Sequence, residues 1–394
     1  MHLKIVRSNT GPGRTEGRKQ NKAFMILSAL GILFVVDSHV GPNLSSYFVF
    51  PYDSFYMPMF AFISGYFFSE KHLQTWEHVF RFVDRKIRTL LIPYFLWIVF
   101  YGILTGLCRH LGIWDIGETS AIDLIHNILT GGTSFGFNDP SWFVPLLFCV
   151  VVFYTFLRKL LGSHWNHYTA MAIFAAFGAI AISLSQTEFR THNTFMLMKI
   201  PCFLQYYHLG VLFREKLETA FDKVSALLLC ALAAGINLAI LTHYGPNISV
   251  GMYATMGGFE LKAPFLPLIT SITGIAFWLK ISKVLVSSLG QNRLVNFISE
   301  NTFFFMTHHL LVKHIFLGIF VVAHNSGLLT LQGLDIAQYR LYAWYRWNDS
   351  FLFSLASLIF TTAALIPPCI LYNRIAAQIG ARIQQHFPIT KKQP

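Results

Sequence analysis

Two short stretches place proton-handling side chains where an apolar environment should exclude them. FVVDSHVG, residues 34–41, sets Asp37 and His39 near the end of an apolar run that begins at Ala23. FFFMTHHLLVKHIF, residues 303–316, carries His308, His309, Lys313 and His314 in another such run, and a third holds Lys199 and His208. An ionisable side chain deep in a bilayer costs at least a few kcal/mol, so such groups usually face a polar cavity or a partner. An imidazole can take a proton from a hydroxyl near neutral pH, which suits a general base. A basic stripe can bind an anionic group or stabilise a developing oxyanion. Residues two apart on a helix are rotated by about 200° and do not face each other, so Asp37 and His39 are not a local dyad. Any group that orients His39 must come from another helix. His309 and Lys313, four apart, share a face, whereas His308 looks elsewhere. The structural alternative for each is a histidine hydrogen-bonded within a helix interface, or a lysine reaching back to the membrane surface.

The elements that would position these groups follow from composition. Of 394 residues, 54% are hydrophobic, 16% aromatic and only 12% charged, which is far from the usage of soluble domains. Apolar stretches recur along the chain, and about 20 helical residues cross the hydrocarbon core. The expected fold is therefore all-α, a polytopic transmembrane helical bundle of about ten spans, at roughly 23–41, 55–70, 89–110, 141–161, 168–185, 196–213, 224–243, 263–281, 298–323 and 350–373. Of the 30 lysines and arginines, 23 fall on one side of this arrangement, 15 of them before the first span, between the second and third, or after the last. The rule that cytoplasmic loops retain positive charge then places both termini in the cytoplasm. Residues 1–22 read as a disordered basic leader, 23–373 as the membrane domain and 374–394 as a basic tail. The net charge of +12 follows from this topology and gives no sign of nucleic-acid binding. The five cysteines have neither disulfide-framework nor metal-like spacing, and no metal is expected. The longest non-membrane stretches, Leu111 to Pro140 and His324 to Asp349, fall on the outer face and mix tryptophans and tyrosines with hydrogen-bonding groups. These could stack on sugars, but the first reading is the interfacial aromatic belt of a membrane protein.

Several segments in order resemble the acyltransferase 3 family of membrane-bound acyltransferases, above all its polysaccharide and sugar O-acetylase branch (fucose 4-O-acetylase-like and capsular O-acetyltransferases). They are ILSALGILFVVDSHVG, SFYMPMFAFISGYFF, RKIRTLLIPYFLW, PSWFVPLLF, FLQYYHLGVLFRE and NTFFFMTHHLLV. The resemblance implies transfer of an acyl group, usually acetyl from cytoplasmic acetyl-CoA, to a hydroxyl of a polysaccharide or lipid-linked sugar. It assigns the base to His39 and the late histidine to His308, with His309 beside it; Asp37 is expected to support a partner helix or contact the acceptor. It gives Arg85, Lys86 and Arg88 the CoA phosphates, to be held by charge-assisted hydrogen bonds. Trp142 and Lys313 are the candidate acceptor-binding residues. The expected setting is multi-pass in a bacterial plasma membrane, with lipids and polysaccharide-biosynthesis proteins as partners.

The chain departs from the family pattern at one position. The family commonly carries an arginine eleven residues before the first histidine, and here that residue is Ser28. Eleven residues are about three turns, so Ser28 shares a face with His39. A serine cannot clamp phosphate with a guanidinium fork. Two other readings remain: a glycan or anionic-metabolite transporter or flippase, for which paired pseudo-symmetric halves are expected, and a non-catalytic subunit of a polysaccharide synthase.

Overall fold

The computed structural model describes residues 21–51, 53–116, 125, 136–189, 194–245, 248, 250 and 263–386. The basic leader up to residue 20, Glu118, Asp123, Arg190 and Lys262 lie outside them. All regular structure among the described residues is helical. Seven stretches are long and apolar enough to cross a bilayer: Lys22–Val40, Trp76–His110, Gly136–Leu161, His167–Ser185, Ala226–Tyr244, Thr302–Asn325 and Phe351–Ile379. The other three expected spans are helices of a different kind. Residues 56–66 form only 11 residues of helix, about 16 Å long and too short to span. Helices Phe195–Leu212 and Leu266–Val284 have the length, but polar residues such as Lys199, Gln205, His208, Thr270 and Lys280 dilute their apolar character.

Helix α1 (Lys22–Val40) starts where the Asn21 side chain accepts from the Phe24 amide and ends at Gly41. Its flank is covered by α2 (Tyr56–Tyr66), whose Tyr66 ring stacks on Phe24 at 3.8 Å. Helix α3 (Trp76–Lys86) is capped by Thr75 and amphipathic, burying Val79 and Phe82 three residues apart. A π-turn, Ile87–Leu91, joins it to α4 (Ile92–His110). Helices α5 (Phe143–Leu161) and α6 (His167–Ser185, capped by Asn166) lead to α7 (Phe195–Leu212). Glycines set the approach of α2 to α7: a methyl at Gly65 would strike the Tyr207 carbonyl, and one at Gly210 the Phe62 carbonyl. Small residues at crossings let membrane helices pack backbone to backbone.

Helix α8 (Ala226–Tyr244) lies at the periphery against α9 (Leu266–Val284), with Leu227, Leu228 and Leu232 exposed. Exposed leucines in rows mark a lipid-facing surface. After α10 (Arg293–Glu300) comes α11 (Thr302–Asn325), a 24-residue helix in the core of the bundle. The segment that follows includes α12 (Ile336–Leu341) and lies over the His39 end of α1. The last span breaks at Leu365, ahead of Pro367 and Pro368, into α13 (Phe351–Ala364) and α14 (Ile366–His386). Proline removes an amide donor and crowds the preceding turn, which accounts for the break. Helix thus continues to His386, well into the stretch expected as a tail.

Candidate active site

The last turn of α1 and the middle of α11 bring two histidines together. His39 Nδ1 lies 2.6 Å from His309 Nε2. The ring centroids are 4.8 Å apart and the planes differ by 9°. That centroid distance is close to the nitrogen–nitrogen separation plus the two ring radii. The rings therefore meet edge to edge in nearly one plane, as a hydrogen bond requires. His309 Nδ1 faces the Phe305 carbonyl one turn back, at 3.0 Å. A carbonyl only accepts, so the His309 proton sits on Nδ1 and its Nε2 carries a lone pair. His39 must then donate from Nδ1, which leaves His39 Nε2 as a free lone-pair nitrogen. His309 is fully buried and His39 half-buried, so the fixed partner lies inside and the available nitrogen belongs to the more accessible ring.

The end of α1 is shaped by Asp37. Its Oδ2 accepts from the Leu44 amide at 2.5 Å and its backbone carbonyl from the Gly41 amide at 2.8 Å, closing the turn after His39. Gly41 has no side chain because a methyl there would run into the Asp37 carboxylate. Arg346 donates to the Gly41 carbonyl at 3.3 Å. The Trp344 ring meets His39 edge-on, 4.8 Å between centroids and 75° between planes. Trp344 is held in turn by Asp139, whose carboxylate accepts from the indole at 3.0 Å. Neither Trp344 nor Arg346 was singled out from sequence beyond the aromatic content of its loop. Their closeness to His39 depends on how the segment after α11 folds back.

The remaining expected residues separate. His308 points away from His39 into a box of Trp97, Phe100 and Phe304, with Nδ1 2.9 Å from the Tyr101 hydroxyl. Trp142 is buried under Lys199, whose ammonium sits 3.9 Å from the ring centroid. Lys313 lies one turn beyond His309, 2% exposed, and its Nζ has no hydrogen-bond partner among the described residues. His208 donates from Nε2 to the His167 carbonyl at 2.9 Å and accepts from Tyr154 at 3.0 Å, a fully satisfied core histidine. His314 stacks on Tyr339 at 4.2 Å.

Arg85, Lys86 and Arg88 are in the last turn of α3 and the π-turn, not in a loop. They lie towards the opposite end of α1 from His39: Phe82 of α3 packs on Phe68, just beyond the Tyr66 that stacks on Phe24. That end is about 24 Å along α1 from His39. Arg88 is paired with Asp84 at 2.9 Å, while Arg85 and Lys86 lie over the Phe82 ring at 5.7 and 5.3 Å. Between the two ends is a cavity of about 80 Å³, lined by Ser28, Ile32, Phe60, Ser64, Leu90, Phe143, Thr302, Phe303 and Met306 among others. A water needs only about 10–15 Å³ by this measure, so the space takes several non-hydrogen atoms. Ile32 is two turns before His39 and Met306 about one turn before His309, which sets the cavity on the faces that carry the histidine pair. Leu90 places it beside the segment that carries Arg88. Among the described residues no group of three or more His, Cys, Asp or Glu side chains is arranged to hold a metal ion.

Comparison with known proteins matches residues 24–372 to an acyltransferase domain, that of the acyltransferase 3 family. No curated protein and no solved structure matches the chain. A match over nearly the whole described bundle, with apolar helices fit to cross a membrane, gives the assignment: the chain belongs to the acyltransferase 3 family of membrane acyltransferases.

Proposed function

We propose that the chain is an integral-membrane O-acyltransferase that transfers an acyl group, in the simplest case acetyl, from acyl-CoA to a hydroxyl of a cell-surface polysaccharide or lipid-linked sugar. The observation that carries this reading is the directed pair of hydrogen bonds from His39 to His309 to the Phe305 carbonyl. It leaves one lone-pair nitrogen, His39 Nε2, in a half-buried position at the end of a membrane helix. The acceptor hydroxyl donates its proton to that nitrogen as its oxygen bonds to the thioester carbonyl carbon. The carbon–sulfur bond then breaks, and the thiolate recovers the proton from His39. His309 holds the ring and stabilises its cationic form, as an orienting partner does for a catalytic histidine. Asp37 acts one step further out, by closing the turn that presents His39.

The donor is a substrate, and its phosphates suit the cations near the far end of α1. Arg85 and Lys86, which have no carboxylate in direct contact among the described residues, and the outer nitrogens of Arg88 can reach them. The Ser28-lined cavity then takes the thin arm that carries the thioester towards His39. In this chain the serine contributes room where the family pattern has a guanidinium. The setting is a bacterial plasma membrane, with the glycan-synthesis machinery as neighbour.

Purified protein in detergent, given labelled acetyl-CoA and candidate oligosaccharides, tests the reading. Transfer of label that is lost in His39→Ala, with the variant still folded, supports it. Acceptor binding or movement without transfer points instead to a carrier or a non-catalytic subunit. Transfer that survives His39→Ala removes His39 from the mechanism.

A further inference from the structure

The histidine pair does not account for Lys313. It lies four residues after His309 on the same face of α11, is 2% exposed, and has no hydrogen-bond partner for Nζ among the described residues. A second cation joins it, since Arg346 is anchored on the Gly41 carbonyl two residues past His39. His39, Lys313 and Arg346 are close enough to act on one another electrostatically. Asp37, Asp139 and Asp349 lie in the same region, but among the described residues none of them gives Lys313 Nζ a hydrogen-bond partner. Asp349 meets Arg346 only at 3.8 Å and its side chain is 79% exposed. Asp37 also acts on Arg346, and its carboxylate is turned to the Leu44 amide, not to Lys313. An ammonium buried without an acceptor is costly, and in membrane helices such groups mark ligand pathways. A ligand that supplies an anion would remove that cost.

We propose that Lys313 and Arg346 form an anion subsite beside His39, and that the acceptor carries a carboxylate or phosphate close to the hydroxyl that is acylated. The substrate class is then an acidic glycan, whose negative group docks on Lys313 while its hydroxyl meets His39 Nε2. This rests on the acyltransferase reading above.

The test measures kcat and KM for paired acceptors: a uronic-acid oligosaccharide, the same oligosaccharide with its carboxyls reduced to alcohols, and a phosphorylated neutral oligosaccharide. Wild type should favour the acidic acceptors over the reduced one by about tenfold to a hundredfold in kcat/KM, the range for a charge-assisted hydrogen bond. The better of the carboxylate and phosphate acceptors identifies the anion. Lys313→Met should bring that ratio close to one, chiefly by raising KM for the acidic acceptors. Lys313→Arg should keep most of the preference. Arg346→Gln, in a surface segment where misfolding is less of a concern, should reduce it in part. Equal use of acidic and reduced acceptors by wild type overturns the proposal. So does a Lys313→Met variant that loses kcat equally on both, which would assign the lysine to the oxyanion. Transfer by wild type to none of the acceptors counts instead against the acyltransferase reading itself.

Discussion

At the scale of single residues, the two candidate histidines of α11 separate by one position. His309 reaches His39, and His308, next in sequence, is turned about 100° away into an aromatic box. His39→Ala should lower transfer by about 10²–10⁴-fold, the usual contribution of a positioned base. His309→Ala should lower it by about 10–100-fold, as loss of an orienting partner does. The double variant should be little worse than His39→Ala alone, because residues acting as a unit are not additive. Rates of CoA release check all three. His208 gives the contrast. His208→Leu removes two hydrogen bonds and strands the Tyr154 hydroxyl, at a cost of about 1–3 kcal/mol seen as a lower melting temperature in detergent, with transfer per folded molecule retained. That ionisable groups inside these apolar runs would need partners was legible in the sequence. Which of two adjacent histidines would turn towards α1 was not, since it depends on the rotation of α11 about its axis.

Asp53 adds a pH effect outside the spans. It sits in the turn between α1 and α2, in left-handed backbone at φ 59°, and burial raises its carboxyl to about 7. An acid whose folded value is raised favours the folded state most when protonated. Stability should therefore fall as pH rises from about 4 to 7, and change little above that from this source. Asp53→Asn keeps a residue tolerated in left-handed backbone and removes the burden. It should melt higher than wild type at pH 8, by about 1–2 kcal/mol for this half-buried group, and differ little near pH 4.

At the scale of elements, the close approach of α2 and α7 depends on the glycines at their crossing. Gly65→Leu or Gly210→Leu would set a side chain against a carbonyl of the facing helix. Either should destabilise by about 1–3 kcal/mol or more and broaden the elution profile in detergent. These helices also show where apolar length misleads. The expected second span ends as an 11-residue helix, because the chain from Gly41 to Phe55 turns back and α2 meets α7 inside the bundle. Hydropathy registers burial in protein and burial in lipid alike, so an interior helix reads as a span. Trp344 and Arg346 were hidden for a related reason. Nothing local in the sequence indicates that a loop over 300 residues after His39 returns to cover it.

At the scale of the whole molecule, we propose that both termini lie in the cytoplasm, on the excess of basic residues near the Lys22 end and in the last helix. On that proposal the number of crossings is even, so the seven long apolar stretches are joined by a shorter or more polar helix such as α7 or α9. Reporter fusions at each terminus, one active only inside the cell and one only outside, should both read cytoplasmic. Opposite readings would mean an odd number of crossings.

The cavity beneath the histidine pair bears on the membrane as much as on the reaction. A protein that admits a substrate arm at one end and a hydroxyl near the other runs the risk of becoming a leak. The rings of Phe60, Phe143 and Phe303 close the walls of that small space, and three hydroxyls, from Ser28, Ser64 and Thr302, are its polar lining. The space takes only a few waters, and its aromatic walls are what keep them from extending into a file that reaches both surfaces. Phe60→Ala combined with Phe143→Ala should open one, and vesicles containing that variant should lose an imposed pH gradient faster than wild-type vesicles. The same aromatic side chains would then serve as both binding surface and insulation.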